Sequence, residues 1–108
     1  MIAWYDYPIA ELAAGRNVTI NPKGNSMTPR IVSGASVTLT PLVDTESIKK
    51  GDAVLVSIGR AIYLHLVTAI TKDLVQISNN HGYVNGWTNK KNVYGKVIAI
   101  DNHPKAPK

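Results

Sequence analysis

Apolar and polar residues follow one another in short runs of strand length, broken by turn residues. Val37-Thr38-Leu39-Thr40 alternates strictly, as a half-buried strand does when successive side chains face opposite sides. Asn17-Val18-Thr19-Ile20 predicts a shorter strand before it, and Ser33-Gly34 a turn between them. Residues 53–58 form an almost continuous apolar run, which Ile58-Gly59-Arg60 folds as a hairpin onto residues 61–70. Thr71-Lys72-Asp73 then turns the chain into a strand over residues 74–78, and residues 93–100 predict a closing strand. There is no internal repeat, and no helix longer than a turn or two is expected.

Elsewhere the pattern is less regular. Residues 1–7 mix Trp4, Tyr5 and Tyr7 with a single acid, and Pro8 biases Tyr7 toward extended geometry. An extended arm is therefore expected to lead into residues 9–12, its aromatic rings either covering an edge of the core or forming a partner-binding patch. Ala13-Ala14-Gly15 predicts a turn. Residues 41–50 connect without periodicity, and Asp52, in a Gly-Asp turn before an apolar strand, is expected to bond nearby backbone. Residues 79–91 read as a long polar loop holding Gly82, Asn85-Gly86 and Trp87, with the indole holding the loop to the body.

Composition narrows the class. A chain of 108 residues makes one domain with one core, and 44% hydrophobic against 18% charged residues marks it as globular. Without cysteine there is neither a disulfide framework nor a thiolate metal site. The longest apolar stretch, residues 61–70, is about half of what a membrane span needs and holds a histidine. No membrane partner is expected, and the lack of a basic, then apolar, N-terminal segment points to the cytoplasm. The net charge of +5 does not point to nucleic acid, because several cations sit in residues 105–108 and at Lys90-Lys91.

The chemistry centres on Gly24-Asn25-Ser26-Met27-Thr28-Pro29. A small hydroxyl residue stands between a glycine that lets backbone approach and a proline that fixes the exit, so Ser26 is the candidate nucleophile. A serine needs a base, and the candidate is His65. On the strand 61–70, Ile62, Leu64, Leu66 and Ile70 share one face, while Ala61, Tyr63, His65, Val67 and Ala69 share the other. A lone strand histidine is otherwise a cross-strand partner without chemistry. His81 is a second candidate base in a loop that suits a surface role. His65, His81 and His103 have no metal-binding spacing, and no Gly-rich phosphate loop is present, so neither metal nor cofactor is expected.

Taken in order, Gly24 to Pro29, Lys50-Gly51-Asp52-Ala53-Val54-Leu55-Val56, Tyr63-Leu64-His65-Leu66-Val67 and Tyr94-Gly95-Lys96-Val97-Ile98 resemble the clan of LexA-type repressors and signal peptidases. The match covers residues 7–100, leaving an arm of residues 1–6 and a flexible basic tail of residues 101–108. The resemblance implies a mostly β single domain, a coiled antiparallel sheet forming a partly open barrel or sandwich. It implies a serine endopeptidase with a Ser26/His65 dyad, cleaving itself or an extended segment of a peptide or protein partner. Ser26 and the turn around Gly24 would supply oxyanion donors, with Asn25, Met27 and Tyr63 on the substrate side.

The chain departs from the clan in three ways. Most members use lysine as base, whereas signal peptidases of the eukaryotic secretory membrane carry histidine supported by an acid. Here the segment matching the acid-bearing loop reads Asn79-Asn80-His81-Gly82-Tyr83-Val84-Asn85, leaving Asn79, Asn80 or Asn85 to orient the imidazole. Gly34-Ala35 also stands where the family often has Gly-Asp. Ala14-Gly15 resembles the bond that self-cleaving members cut, though it lies close before Ser26 in sequence. An alternative is a catalytically weak relative acting as a peptide- or protein-binding module or decoy. Relatives also suggest a homodimer through residues 93–100.

Overall fold

The first four residues of Ala53–Ile58 are all buried, which a strand permits only when both its faces are covered. Ala53 and Leu55 pack with Leu12, Val18, Met27, Val37, Leu39 and Leu64. Val54 and Val56 pack with Val67, Val75, Ile77 and Val93. The two-residue period of the strand thus divides the interior into two cores, one on each face.

A computed structural model describes residues 3–103. Seven strands form one sheet: β1 (Val18–Ile20), β2 (Ser36–Pro41), β3 (Ala53–Ile58), β4 (Ala61–Ile70), β5 (Leu74–Ser78), β6 (Val84–Asn89) and β7 (Val93–Asp101). Their order is β1-β2-β7-β3-β4-β5-β6, every pairing is antiparallel, and the sheet does not close into a barrel. The mostly β, single-domain expectation holds. β3 and β4 form the expected hairpin, with Ile58 opposite Ala61 and Gly59 at φ 57° in the turn. Asp52 accepts from the Lys49 N–H at 2.8 Å, the backbone role its turn suggested.

β4 serves two neighbours in succession. It pairs with β3 over Ala61–Leu66, but β5 joins it only from Leu66 onward. Among the described residues, 61–64 therefore have one edge without a strand partner.

Three expectations need correction. The segment read as an extended arm contains an eight-residue helix, α1 (Asp6–Ala13). Pro8 lies in its first turn, where no N–H donor is needed, and burial of Pro8 and Leu12 on one side overrides the extended bias at Tyr7. The loop expected over residues 79–91 contains β6, with a bulge at Asn85-Gly86. Trp87 does not hold it to the body: its side chain is exposed. The tail expected from residue 101 starts in order, because Asn102 accepts from the Val32 N–H at 3.0 Å and donates to the Arg30 carbonyl at 3.1 Å. Met1, Ile2 and residues 104–108, parts of the expected arm and tail, lie outside the described residues.

Gly95 shows how closely α1 is docked. A Cβ there would stand 2.6 Å from the Thr40 carbonyl oxygen and 3.0 Å from both Leu12 methyl carbons. Gly95→Ala is expected to cost about 1–3 kcal/mol, the usual toll of overpacking. Urea denaturation would read this as a lower midpoint, and an unchanged midpoint would contradict the tight seat of Leu12 on β7.

Candidate active site

The nucleophile turn leaves the first core by way of Met27, which is buried beside Ile31. Every carbonyl from Asn25 to Thr28 has a partner. The Asn25 oxygen accepts from the Thr28 hydroxyl at 2.8 Å, from the Thr28 N–H at 3.2 Å and from His81 Nε2 at 2.9 Å. The Ser26 oxygen accepts from the Asn80 N–H at 2.9 Å, the Met27 oxygen from the Ile31 N–H at 2.8 Å, and the Thr28 oxygen from Asn80 Nδ2 at 3.0 Å. Among the described residues, the N–H groups of Asn25, Ser26 and Met27 have no hydrogen-bond partner. Gly24, at φ 106°, makes the left-handed turn that begins this arrangement.

His65 projects from β4 just before β5 begins to pair. Its Nε2 lies 3.1 Å from Ser26 Oγ and its Nδ1 lies 2.7 Å from Asn85 Oδ1. An amide oxygen only accepts, so Nδ1 carries the proton and Nε2 is left to accept from the serine hydroxyl. That is the tautomer a base needs. Tyr63, two residues earlier on the same face, stacks on the imidazole with centroids 5.0 Å apart.

Asn85 reaches His65 because of the bulge in β6. Ile77 pairs with Gly86 and Ser78 with Val84, so Asn85 is the extra residue that the register skips. Bulges re-aim side chains in this way. Of the three asparagines expected to support the base, only Asn85 touches it. Asn79 instead ties its own loop, accepting from the N–H groups of His81 and Tyr83, and Asn80 holds the serine turn.

Ser26 and His65 open into a cleft of about 580 Å³. Ile20, Pro22 and Gly24 line it on the β1 side, and Ile62, Tyr63 and Leu64 from the unpaired half of β4. Trp4, Tyr7 and Pro8 also line it, so the N-terminal aromatics are placed beside the candidate nucleophile. Trp4 and Tyr7 remain 54% and 62% exposed, free to be covered by something in the cleft. Sequence reasoning had no signal for this placement, since it depends on α1.

Two other assignments change. The Gly24 N–H donates to Ser33 Oγ at 3.1 Å, so Gly24 shapes the cleft but does not offer its amide to an oxyanion. Ala14 and Gly15 are not brought to Ser26. They close α1 in a Schellman motif, with Arg16 N–H donating to the Glu11 carbonyl, Gly15 N–H to that of Leu12, and Gly15 at φ 82°. Neither residue lines the cleft. His81 bonds the serine turn rather than Ser26 Oγ. Among the described residues no cluster of His, Cys, Asp and Glu is placed to hold a metal, and no helix is long and apolar enough to cross a membrane. Comparison with protein-family models, with curated proteins and with solved structures finds no match.

Burial pushes the pKa of His65 below the ordinary histidine value, and the hydrogen bond that His65 donates to Asn85 partly opposes the shift. The residue is only 8% exposed, and the neutral form is the one favoured. An NMR titration should find His65 protonating below about 6.5. The unfolded chain then binds the extra proton first, so folding stability should fall as pH drops from the ordinary histidine value through the lowered one. His65→Gln should remove that component of the pH dependence, and a ring titrating at or above 6.5 would contradict the burial argument.

Proposed function

We propose that the protein is a serine endopeptidase of the LexA and signal peptidase-like clan, acting in trans on an extended peptide segment. The observation that carries this is one imidazole bonded at one nitrogen to Ser26 Oγ and at the other to Asn85 Oδ1. As Oγ bonds to the substrate carbonyl carbon, its proton passes to His65 Nε2 and the carbonyl oxygen takes up negative charge. The imidazolium returns the proton to the leaving amine as the C–N bond breaks. Water then attacks the acyl-enzyme, its oxygen bonding to the acyl carbon as one of its protons passes to His65. The ester bond between that carbon and Ser26 Oγ breaks as the proton returns to Oγ.

The lone edge of β4 supports an extended substrate, because residues 62–64 line the cleft and leave backbone groups for a peptide to pair with as an added strand. Cleavage in trans fits the placement of Ala14-Gly15, whose N–H groups are both bonded within a helix terminus anchored by buried Leu12. A second reading, a binding module that captures an extended peptide, draws on one observation: an amide, not a carboxylate, backs the histidine. An amide orients the ring but supplies no charge to balance an imidazolium.

Incubation with unfolded casein at neutral and mildly alkaline pH, followed by intact-mass analysis, separates the two. Wild type should release fragments while Ser26→Ala and His65→Ala release none. Fragments from Ser26→Ala would overturn the peptidase reading, and no cleavage by wild type with casein still bound would favour the module.

Substitutions at Asn85 test the orienting role. Asn85→Ala should lower kcat on the order of a hundredfold or more through loss of the correct tautomer. Asn85→Asp should raise the pKa of His65, moving the acid limb of the rate profile to higher pH, with kcat kept or increased above it. Trp4→Ala and Tyr7→Ala should raise KM for casein while leaving kcat largely unchanged, as expected of groups that bind without reacting.

A further inference from the structure

A peptide unit is planar and trans, so its C=O and N–H point in opposite directions, and holding one aims the other. The turn at Ser26 presents two such units in succession. The Asn25 carbonyl is held by His81 Nε2 at 2.9 Å, and the Ser26 carbonyl by the Asn80 N–H at 2.9 Å. The N–H groups at the other ends of these units belong to Ser26 and Met27, and neither has a partner among the described residues.

We propose that the Asn80-His81 segment orients the oxyanion hole of this site, with His81 as the positioning residue for the Ser26 amide. The inference rests on the peptidase reading above and adds the source of its electrostatic stabilisation. An oxyanion hole works when its donors are fixed before charge develops, since they then need no reorganisation during the reaction. Within the turn the Thr28 N–H and hydroxyl already bond the Asn25 oxygen, but Thr28 moves with the turn itself. His81, 56 residues away in sequence from Asn25, is the donor that ties this peptide plane to a separate part of the molecule.

The tautomer follows from the same contact. A carbonyl oxygen cannot donate, so His81 carries its proton on Nε2 when neutral and donates there in both charge states. The Thr28 hydroxyl, 3.3 Å from the same nitrogen, gives its own hydrogen to the Asn25 oxygen and leaves a lone pair for the ring. The histidine in the serine-facing position accepts at Nε2, whereas the histidine behind the turn donates there. One cannot replace the other as base without a change of tautomer and of place. Asn79 completes the support by taking the His81 N–H at 2.8 Å, which fixes where the ring begins.

The test uses the full chain and a fluorophosphonate probe, which phosphonylates an activated serine and places a phosphoryl oxygen in the oxyanion position. His81→Ala should slow labelling of Ser26 by about ten- to a hundredfold, the scale of weakening one donor. The downfield proton resonance of His65 Nδ1–H should persist, showing that Asn85 still holds the base. On casein the loss should fall on kcat with KM little changed. His81→Gln, whose amide N–H can reach the same carbonyl, should recover most of the rate.

Wild-type labelling matched by His81→Ala would overturn the inference while leaving the peptidase reading standing. Loss of the His65 resonance in both His81 variants, with labelling lost in step, would also overturn it by making the role one of general folding. If wild type and Ser26→Ala both fail to label, the peptidase reading falls and this inference falls with it.

Discussion

His65 stands 3.1 Å from Ser26 Oγ and 2.7 Å from Asn85 Oδ1, and those two contacts join three segments that share no secondary-structure element. One is an irregular turn, one a ten-residue strand and one the bulge of an outer strand. Each must be placed by its own packing before the imidazole can touch both partners. Met27 and Ile31 seat the turn in the first core, Leu64 and Val67 hold β4 between two cores, and Val75 and Ile77 give β6 its neighbour. A histidine so bonded has a single consistent tautomer, and that tautomer gives the serine an acceptor.

The strands were legible where side-chain period and turn residues agreed. β3, β4 and β5 were bounded by Gly-Asp, Gly-Arg and Lys-Asp turns, and their apolar content left no other reading. β6 was hidden because Val84-Asn85-Gly86-Trp87 pairs through a bulge. An extra residue destroys the period-two signal, and Asn-Gly is chemically the same pair that makes hairpin turns. α1 was hidden by Pro8, whose restriction on its neighbour is real but smaller than the gain from burying Leu12 against Gly95.

Ser26 and His65 were legible only through the order and spacing of several short motifs, since each alone is an ordinary residue in an ordinary place. Asn85 could be narrowed to one of three. What chose it was a skipped register position, a property of how two strands pair rather than of either strand's composition. His81 was legible as a candidate base and Trp4 as part of a possible partner-binding patch, but where they sit was not, because their partners are Asn25 and a cleft that exists only after α1 has docked.

The use of an amide where a carboxylate is common has an effect on the resting molecule. Serine, neutral imidazole and asparagine carry no formal charge, so the assembled trio is held by dipoles alone. Mobile ions screen separated charges over about 8–10 Å at moderate salt concentration but act weakly on short contacts between neutral groups. The idle geometry is therefore insensitive to ionic strength, and its alignment survives a briny solution as well as a dilute one.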